Sequence, residues 1–189
     1  SLVIYYLYTI QKLHNKYIKS YIQTVMKLTK NINLLKKKEF LSIFGNIFEK
    51  SDWIADEVFN LKPFKDSNDL VIKMMNIYEN INSEKMIKIF NLHPQLAIEK
   101  KLTSFSSKEQ TGAKLNDCSK EEFTEFEKLN VDYKKKYGFP FIIAVKGKNK
   151  DEILNNFRQR IQNNFEIEFN EAKNQVKKIA SLRLEGILK

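Results

Sequence analysis

The sequence predicts an all-α fold: a single compact multi-helix domain with one buried irregular or extended segment near residues 139–146. Three observations carry that prediction. The chain of 189 residues holds only 5 Gly and 3 Pro, too few for the many tight turns of an all-β protein. Its apolar residues recur mostly at helical spacing. With 42% hydrophobic and 30% charged residues, it has the composition of a folded globular domain rather than a disordered chain. A chain of this length buries about two-thirds of its unfolded surface, so a core enclosing a pocket is feasible.

Each element follows from local pattern. Residues 1–33 carry Ile4, Leu7, Tyr8, Leu13, Tyr17, Ile18, Tyr21, Ile22 and Val25 at helical spacing, which predicts an N-terminal amphipathic helical extension. The remainder, 34–189, reads as the principal helical domain. Glu39 to Phe44 and the run from Ile47 to Phe59 predict two short helices, broken by Lys62-Pro63-Phe64. Asp66-Ser67 offers an N-cap for a helix carrying Leu70, Val71, Met74, Met75, Ile77 and Tyr78, because short oxygen-bearing side chains accept the free N–H groups of a first turn. The next helix, from Ser83, must stop near His93, since Pro94 biases the residue before it out of the α region.

Residues 99–118 read as a loop or broken helix. Ser119 and Glu122 then have capping-box spacing ahead of a helix with Phe123, Phe126, Leu129 and Tyr133, which ends before Tyr137-Gly138-Phe139-Pro140. Phe141-Ile142-Ile143-Ala144-Val145 is an apolar run bounded by Gly-Phe-Pro and Lys-Gly, favoured as a buried extended piece. Helices starting near Asn149 and running through Phe169 to Leu184 close the chain.

Charge and cysteine usage bound the function. The formal charge of +10 raises the question of nucleic acid, but the lysines are scattered and mixed with acidic residues, and no nucleic-acid partner is expected. The one cysteine, Cys118, supplies neither an internal disulfide nor a thiolate metal cluster. No run approaches the ~20 apolar residues of a membrane span, and the start lacks the basic residue of a signal peptide. Gly186-Ile187-Leu188-Lys189 lacks the Ser-Lys-Leu peroxisomal address. A cytoplasmic protein with no membrane partner is expected.

Familiar catalytic machinery is missing. There is no phosphate-binding glycine loop, no Gly-x-Ser-x-Gly elbow and no His-Glu-x-x-His metal motif, and two histidines with one cysteine leave few zinc ligands. His93, at a helix end stiffened by Pro94, is the leading candidate for acid/base work near neutral pH. The alternative is a helix-terminal histidine bonded to a backbone carbonyl. His14 reads as a surface residue. Ser106, Ser107, Glu109 and Gln110 gather hydroxyls, an acceptor and an amide suited to a small polar heterocycle, while Ser106 and Glu109 equally have the spacing of a capping box. Arg158 and Arg160 lie on a helix with Phe157 and Ile161, where an inward arginine would bind a carboxylate through two N–H groups and an outward one would be solvated.

Taken together, His93-Pro94-Gln95-Leu96-Ala97, Ser106-Ser107-Lys108-Glu109-Gln110 and Tyr137 through Gly147 closely resemble the 2-oxo-4-hydroxy-4-carboxy-5-ureidoimidazoline (OHCU) decarboxylase family. So do Phe48-Glu49-Lys50-Ser51-Asp52-Trp53, Lys62-Pro63-Phe64, Asn130-Val131-Asp132-Tyr133, Arg160-Ile161-Gln162-Asn163 and Lys178 through Leu184. The resemblance covers roughly residues 34–186. It departs in a shorter stretch between His93 and Glu109 and in Lys114, where a small residue is commoner.

The resemblance implies a cofactor-independent decarboxylase forming S-allantoin in urate breakdown, with neither cofactor nor metal, and a homodimer. It puts the catalytic histidine on His93, with Pro94 beside it, and the Ser-x-x-Glu-Gln motif on Ser106, Glu109 and Gln110. The substrate-binding arginine falls on Arg160, and backbone contacts to the ring fall on Phe141, Ile142, Ile143, Ala144 and Val145. The substrate ring's own C=N bond accepts the electrons left by carbon dioxide, which other decarboxylases pass to a cofactor. Arg160 and residues 141–145 would fix the substrate, Glu109 and Gln110 would bind its hydroxyl or ring nitrogens, and His93 would donate the proton. Two rivals remain: a catalytically inactive helical binding module with an anion pocket, and a basic nucleic-acid binder with its cations on one face.

Overall fold

A computed structural model describes residues 32–97 and 103–189 of the chain. The expected extension over residues 1–33, His14 included, lies outside the described residues up to position 31. Among the described residues there are eight α-helices and no strand: α1 (Lys37–Phe44), α2 (Asp52–Phe59), α3 (Ser67–Glu79), α4 (Ser83–Leu92), α5 (Ser104–Gly112), α6 (Lys120–Tyr137), α7 (Lys150–Arg160) and α8 (Phe165–Leu188). Short 3-10 turns occupy Ile32–Leu34 and Leu115–Asp117. None of these helices is long and apolar enough to cross a membrane.

The helix starts follow from side chains that accept the orphan amides of a first turn. Asp66 accepts from the Asp69 amide at 2.8 Å and Asn82 from the Lys85 amide at 2.9 Å. Ser119 with Glu122, and Asn149 with Glu152, form reciprocal capping boxes. At α5 the cap is Thr103, whose hydroxyl accepts from the Ser106 amide. Ser106 therefore sits inside the first turn and is not the N-cap that its spacing with Glu109 allows. Ile47 and Phe48, expected to continue a helix, lie in the turn between α1 and α2 and still bury their side chains.

The long α8 packs against α3, α4 and α6. Its buried stripe runs Glu168, Ala172, Val176, Ile179, Ala180, Arg183 and Leu184, the i, i+3, i+4 spacing of one helix face. Two charged residues on that apolar stripe each need an internal partner, because a buried unpaired charge is costly. Aromatic rings fill the space between α6, α7 and the segment before α7: Phe141 stacks on Phe157 with centroids 3.9 Å apart, and Tyr133 meets both rings edge-on. Residues 140–145 lie in no helix and are buried throughout. This places non-helical backbone, whose N–H and C=O groups need partners other than their own, against the face of α8 that carries Arg183.

Candidate active site

Helix α4 ends at Leu92, and His93 leaves it in extended backbone (φ −69°, ψ 138°), as the following Pro94 requires. The turn behind it is pinned from two helices. Gln110 accepts the Ala97 amide at 3.3 Å and donates to the Gln95 carbonyl at 3.2 Å, while Asn130 donates to the Leu96 carbonyl at 3.0 Å. The imidazole is thus held by a fixed backbone. It is buried, and among the described residues its Nε2 has no hydrogen-bond partner. Burial pulls its pKa down to about 4; the nearby Glu49 carboxylate opposes that pull and the Arg183 charge adds to it. His93 is therefore a neutral imidazole at neutral pH, not the group titrating there that its position in the sequence predicts.

His93 shares a cavity with Pro94, Ser106, Glu109, Gln110, Phe141, Ile142, Ile143, Val145 and Arg183. The cavity is tight, ≈ 30 Å³, room for water and little more. A wider cavity of ≈ 390 Å³ adjoins it, sharing Glu109, Val145, Ile179 and Arg183 and adding Phe105, Lys108 and Lys146. Ser106, Glu109 and Gln110 reach the inner cavity together because positions i, i+3 and i+4 fall on one face of α5.

Among the described residues, Arg183 is the cation lining this cavity. Its Nε and Nη2 donate to Glu109 at 2.7 and 2.8 Å, a two-bond pairing, and Nη1 and Nη2 lie 3.2 Å from Glu49 Oε2. Nη1 also reaches the Asn46 and Ile47 carbonyls, and Ser106 donates its hydroxyl to Glu49 at 2.7 Å. Burial works against the guanidinium charge, but the Glu109 and Glu49 carboxylates outweigh it and hold the pKa above its ordinary value. Glu109 is thus bound to Arg183.

Two residues expected at the substrate do not line the inner cavity. Arg160 does not line the cavity. Its guanidinium pairs with the fully buried Glu168 at 2.5 Å, donates to the Ile142 carbonyl at 2.8 Å and lies 4.5 Å over the Phe141 ring. Glu168 also accepts from Tyr133 and from Asn163. The Arg160 guanidinium is thus committed to Glu168 and the Ile142 carbonyl. Ala144 faces the wider cavity, and its amide donates to Gln175 Oε1 at 2.8 Å, so that N–H is already used. Arg158 is an exposed partner of Glu125.

Arg183 and Glu49 were not singled out from the sequence. A signal existed for Arg183, which continues the stripe Val176, Ile179, Ala180, where an arginine must meet buried acceptors. Glu49 sits in a turn with no periodicity to mark it. Among the described residues no three His, Cys, Asp or Glu side chains gather as metal ligands would.

Residues 33–185 match the model of a family described as OHCU decarboxylase. The chain is 38% identical over 164 residues to a uric acid degradation bifunctional protein of Bacillus sp. (strain TB-90), covering 87% of this chain and 33% of that one. It is 33% identical over 153 residues to the 2-oxo-4-hydroxy-4-carboxy-5-ureidoimidazoline decarboxylase of Haloferax volcanii, covering 81% of this chain and 91% of its relative. The chain thus spans about a third of the bifunctional relative and nearly all of the Haloferax one. Its fold is similar to a crystal structure of (S)-allantoin synthase (TM-score 0.67, 26% identity, 84% of this chain and 53% of that one). It is similar also to a crystal structure of OHCU decarboxylase in the presence of (S)-allantoin (TM-score 0.62, 27% identity, 73% and 92%).

Proposed function

This chain belongs to the OHCU decarboxylase family, and we propose that it converts 2-oxo-4-hydroxy-4-carboxy-5-ureidoimidazoline to S-allantoin without a cofactor. The observation that carries the reading is the meeting of a buried, neutral His93 with the guanidinium of Arg183 around one cavity. The loss of carbon dioxide leaves an electron pair on the ring carbon that bears the hydroxyl. The adjacent ring C=N bond takes up that pair, its nitrogen gains a proton from solvent, the one proton the reaction consumes overall, and an enol remains. Forming the product then needs one proton to leave the enol hydroxyl and one to arrive on the neighbouring carbon. A neutral imidazole suits both steps: His93 accepts the hydroxyl proton and returns it to one face of the carbon, which fixes the S configuration.

In this reading Arg183 holds the substrate carboxylate, in place of the Arg160 assignment. Gln110 and Ser106 stay as neighbours of the ring. The backbone of Phe141 to Ile143 forms the opposite wall, and Arg160 contributes through the Ile142 carbonyl. Positioning and proton transfer are both effects of the required size, with acid/base catalysis worth about 10²–10⁴-fold.

The reading includes a homodimer, a cytoplasmic location, and neither nucleic acid nor membrane as a partner. The homodimer rests on the family resemblance and on the exposed Phe165 and Ile167 at the start of α8. The test is direct. Substrate generated from urate by urate oxidase and hydroxyisourate hydrolase is added to the protein, and allantoin is followed by circular dichroism. We expect rapid appearance of the S enantiomer, lost in His93→Ala with the helical spectrum intact. Slow racemic decay indifferent to the protein favours the rival reading, a helical module that only binds anions.

A further inference from the structure

Arg183 has no N–H left for a substrate. Nε is given to Glu109; Nη1 to the Asn46 and Ile47 carbonyls and Glu49; Nη2 to Glu109, Glu49 and Ser106. A guanidinium has five N–H groups in a fixed fork, and all its directions here meet acceptors. The acceptors differ in one respect. The Glu49 side chain is 1% exposed, whereas that of Glu109 is 28% exposed and borders both cavities. Glu109 also occupies the Nε/Nη2 edge with two parallel bonds, the geometry any free carboxylate would adopt.

We propose that the two carboxylates on Arg183 divide the work. Glu49 is a permanent counter-ion that positions the guanidinium, and Glu109 is a placeholder that the carboxylate of an incoming ring compound displaces. Space points the same way: the inner cavity is ≈ 30 Å³, too small for a substituted ring, and Glu109, with Val145, Ile179 and Arg183, borders both it and the adjoining ≈ 390 Å³. Moving Glu109 off Arg183 frees room where the two meet. The exposed Lys108 and Lys146 line the wider cavity and offer the released carboxylate new partners. A ligand without a carboxylate has nothing to exchange for Glu109, so the device selects carboxylated rings. This assignment rests on the decarboxylase reading for its natural substrate, but not for its test.

The test is binding of orotate, a planar ring bearing a carboxylate, to the wild-type protein and to Glu109→Gln by isothermal titration. If Glu109 competes for Arg183, the variant binds orotate at least tenfold more tightly, while its affinity for neutral allantoin stays within about twofold. Equal or weaker orotate binding in the variant, or binding to neither protein, overturns the proposal. A second arm needs no substitution: in the 15N-labelled wild-type protein, saturating orotate should shift the Arg183 Nε–H resonance, and an unmoved resonance counts against exchange. The parent reading fails separately. Tighter orotate binding in a protein whose wild type makes no allantoin keeps the exchange and removes the decarboxylase. Allantoin formation with unchanged orotate binding does the reverse.

Discussion

Arg183 reaches across from α8 to Glu49, with two of its guanidinium nitrogens 3.2 Å from one carboxylate oxygen and both side chains at most 2% exposed. The pair joins the C-terminal helix to the turn between α1 and α2, residues 134 positions apart. Breaking a buried pair leaves the surviving charge without compensation. Glu49→Ala should therefore destabilise the fold by about 3 kcal/mol, the low end for such a break, because Glu109 still faces Arg183. Urea unfolding of the variant measures this. A change of a few tenths would mean that Glu109, with the Asn46 and Ile47 carbonyls and Ser106, satisfies the guanidinium.

The neutral state of His93 makes stability depend on pH. Its pKa is about 4 in the fold against about 6.5 in an unfolded chain. Between those values the unfolded state binds a proton that the folded state refuses. Stability linked to His93 is thus fully present above about pH 6.5 and is lost as pH falls towards 4, by on the order of 3 kcal/mol across that window. The stability difference between wild type and His93→Gln, which cannot titrate, should shrink by that amount from pH 7.5 to pH 4.5. A difference constant with pH would show the imidazole to be ordinarily solvated.

Much of this site was legible because its pieces are local. The stop at His93 follows from Pro94, and the non-helical run Phe141–Val145 from its flanking Gly, Phe and Pro residues; the helix α5 that puts Ser106, Glu109 and Gln110 on one face stands where the sequence reads as a loop or broken helix. What the sequence concealed is which arginine faces the cavity. Arg160 and Arg183 both continue buried stripes: Ile153, Phe157 and Arg160 on α7, and Val176, Ile179 and Arg183 on α8. Periodicity places each of them inward with equal force. The choice is made by partners distant in the fold's wiring, Glu168 for the one and Glu49 with Glu109 for the other. Glu49 has no periodic context at all, and only the return of α8 over the α1–α2 turn gives it a role.

Gly138 ends α6 with φ +79°, the left-handed conformation that closes a helix and here directs the chain into the buried run from Phe139. A Cβ built on it meets nothing within 4 Å, so a substitution acts through the backbone alone. Gly138→Ala should cost about 1–2 kcal/mol. Gly186, inside α8 and equally unobstructed, makes the opposite control: Gly186→Ala should stabilise by roughly 0.5–1 kcal/mol, since Ala loses less freedom in a helix. Thermal melts of the two variants should move in opposite directions, and a shared direction would mean the glycine conformations are not those described.

Arg160 and Glu168 form the second buried ion pair, tied to Tyr133, Asn163 and the Ile142 carbonyl. Two roles for Arg160 give different results in a pair of variants. Arg160→Met leaves Glu168 buried and uncompensated, at a cost of about 3–5 kcal/mol. Adding Glu168→Leu removes the stranded charge, so the double variant should recover much of that loss, with the Tyr133 hydroxyl, the Asn163 amide and the Ile142 carbonyl as the groups that lose a partner. If Arg160 acts by holding the Ile142 carbonyl, the recovered double variant still has a displaced cavity wall: kcat for allantoin formation falls, and a carboxylated ring binds through Arg183 as before. If Arg160 instead grips the substrate carboxylate, that binding is lost by at least tenfold in the same folded protein. Orotate titration of the double variant separates the two, and retained affinity assigns Arg160 to the backbone.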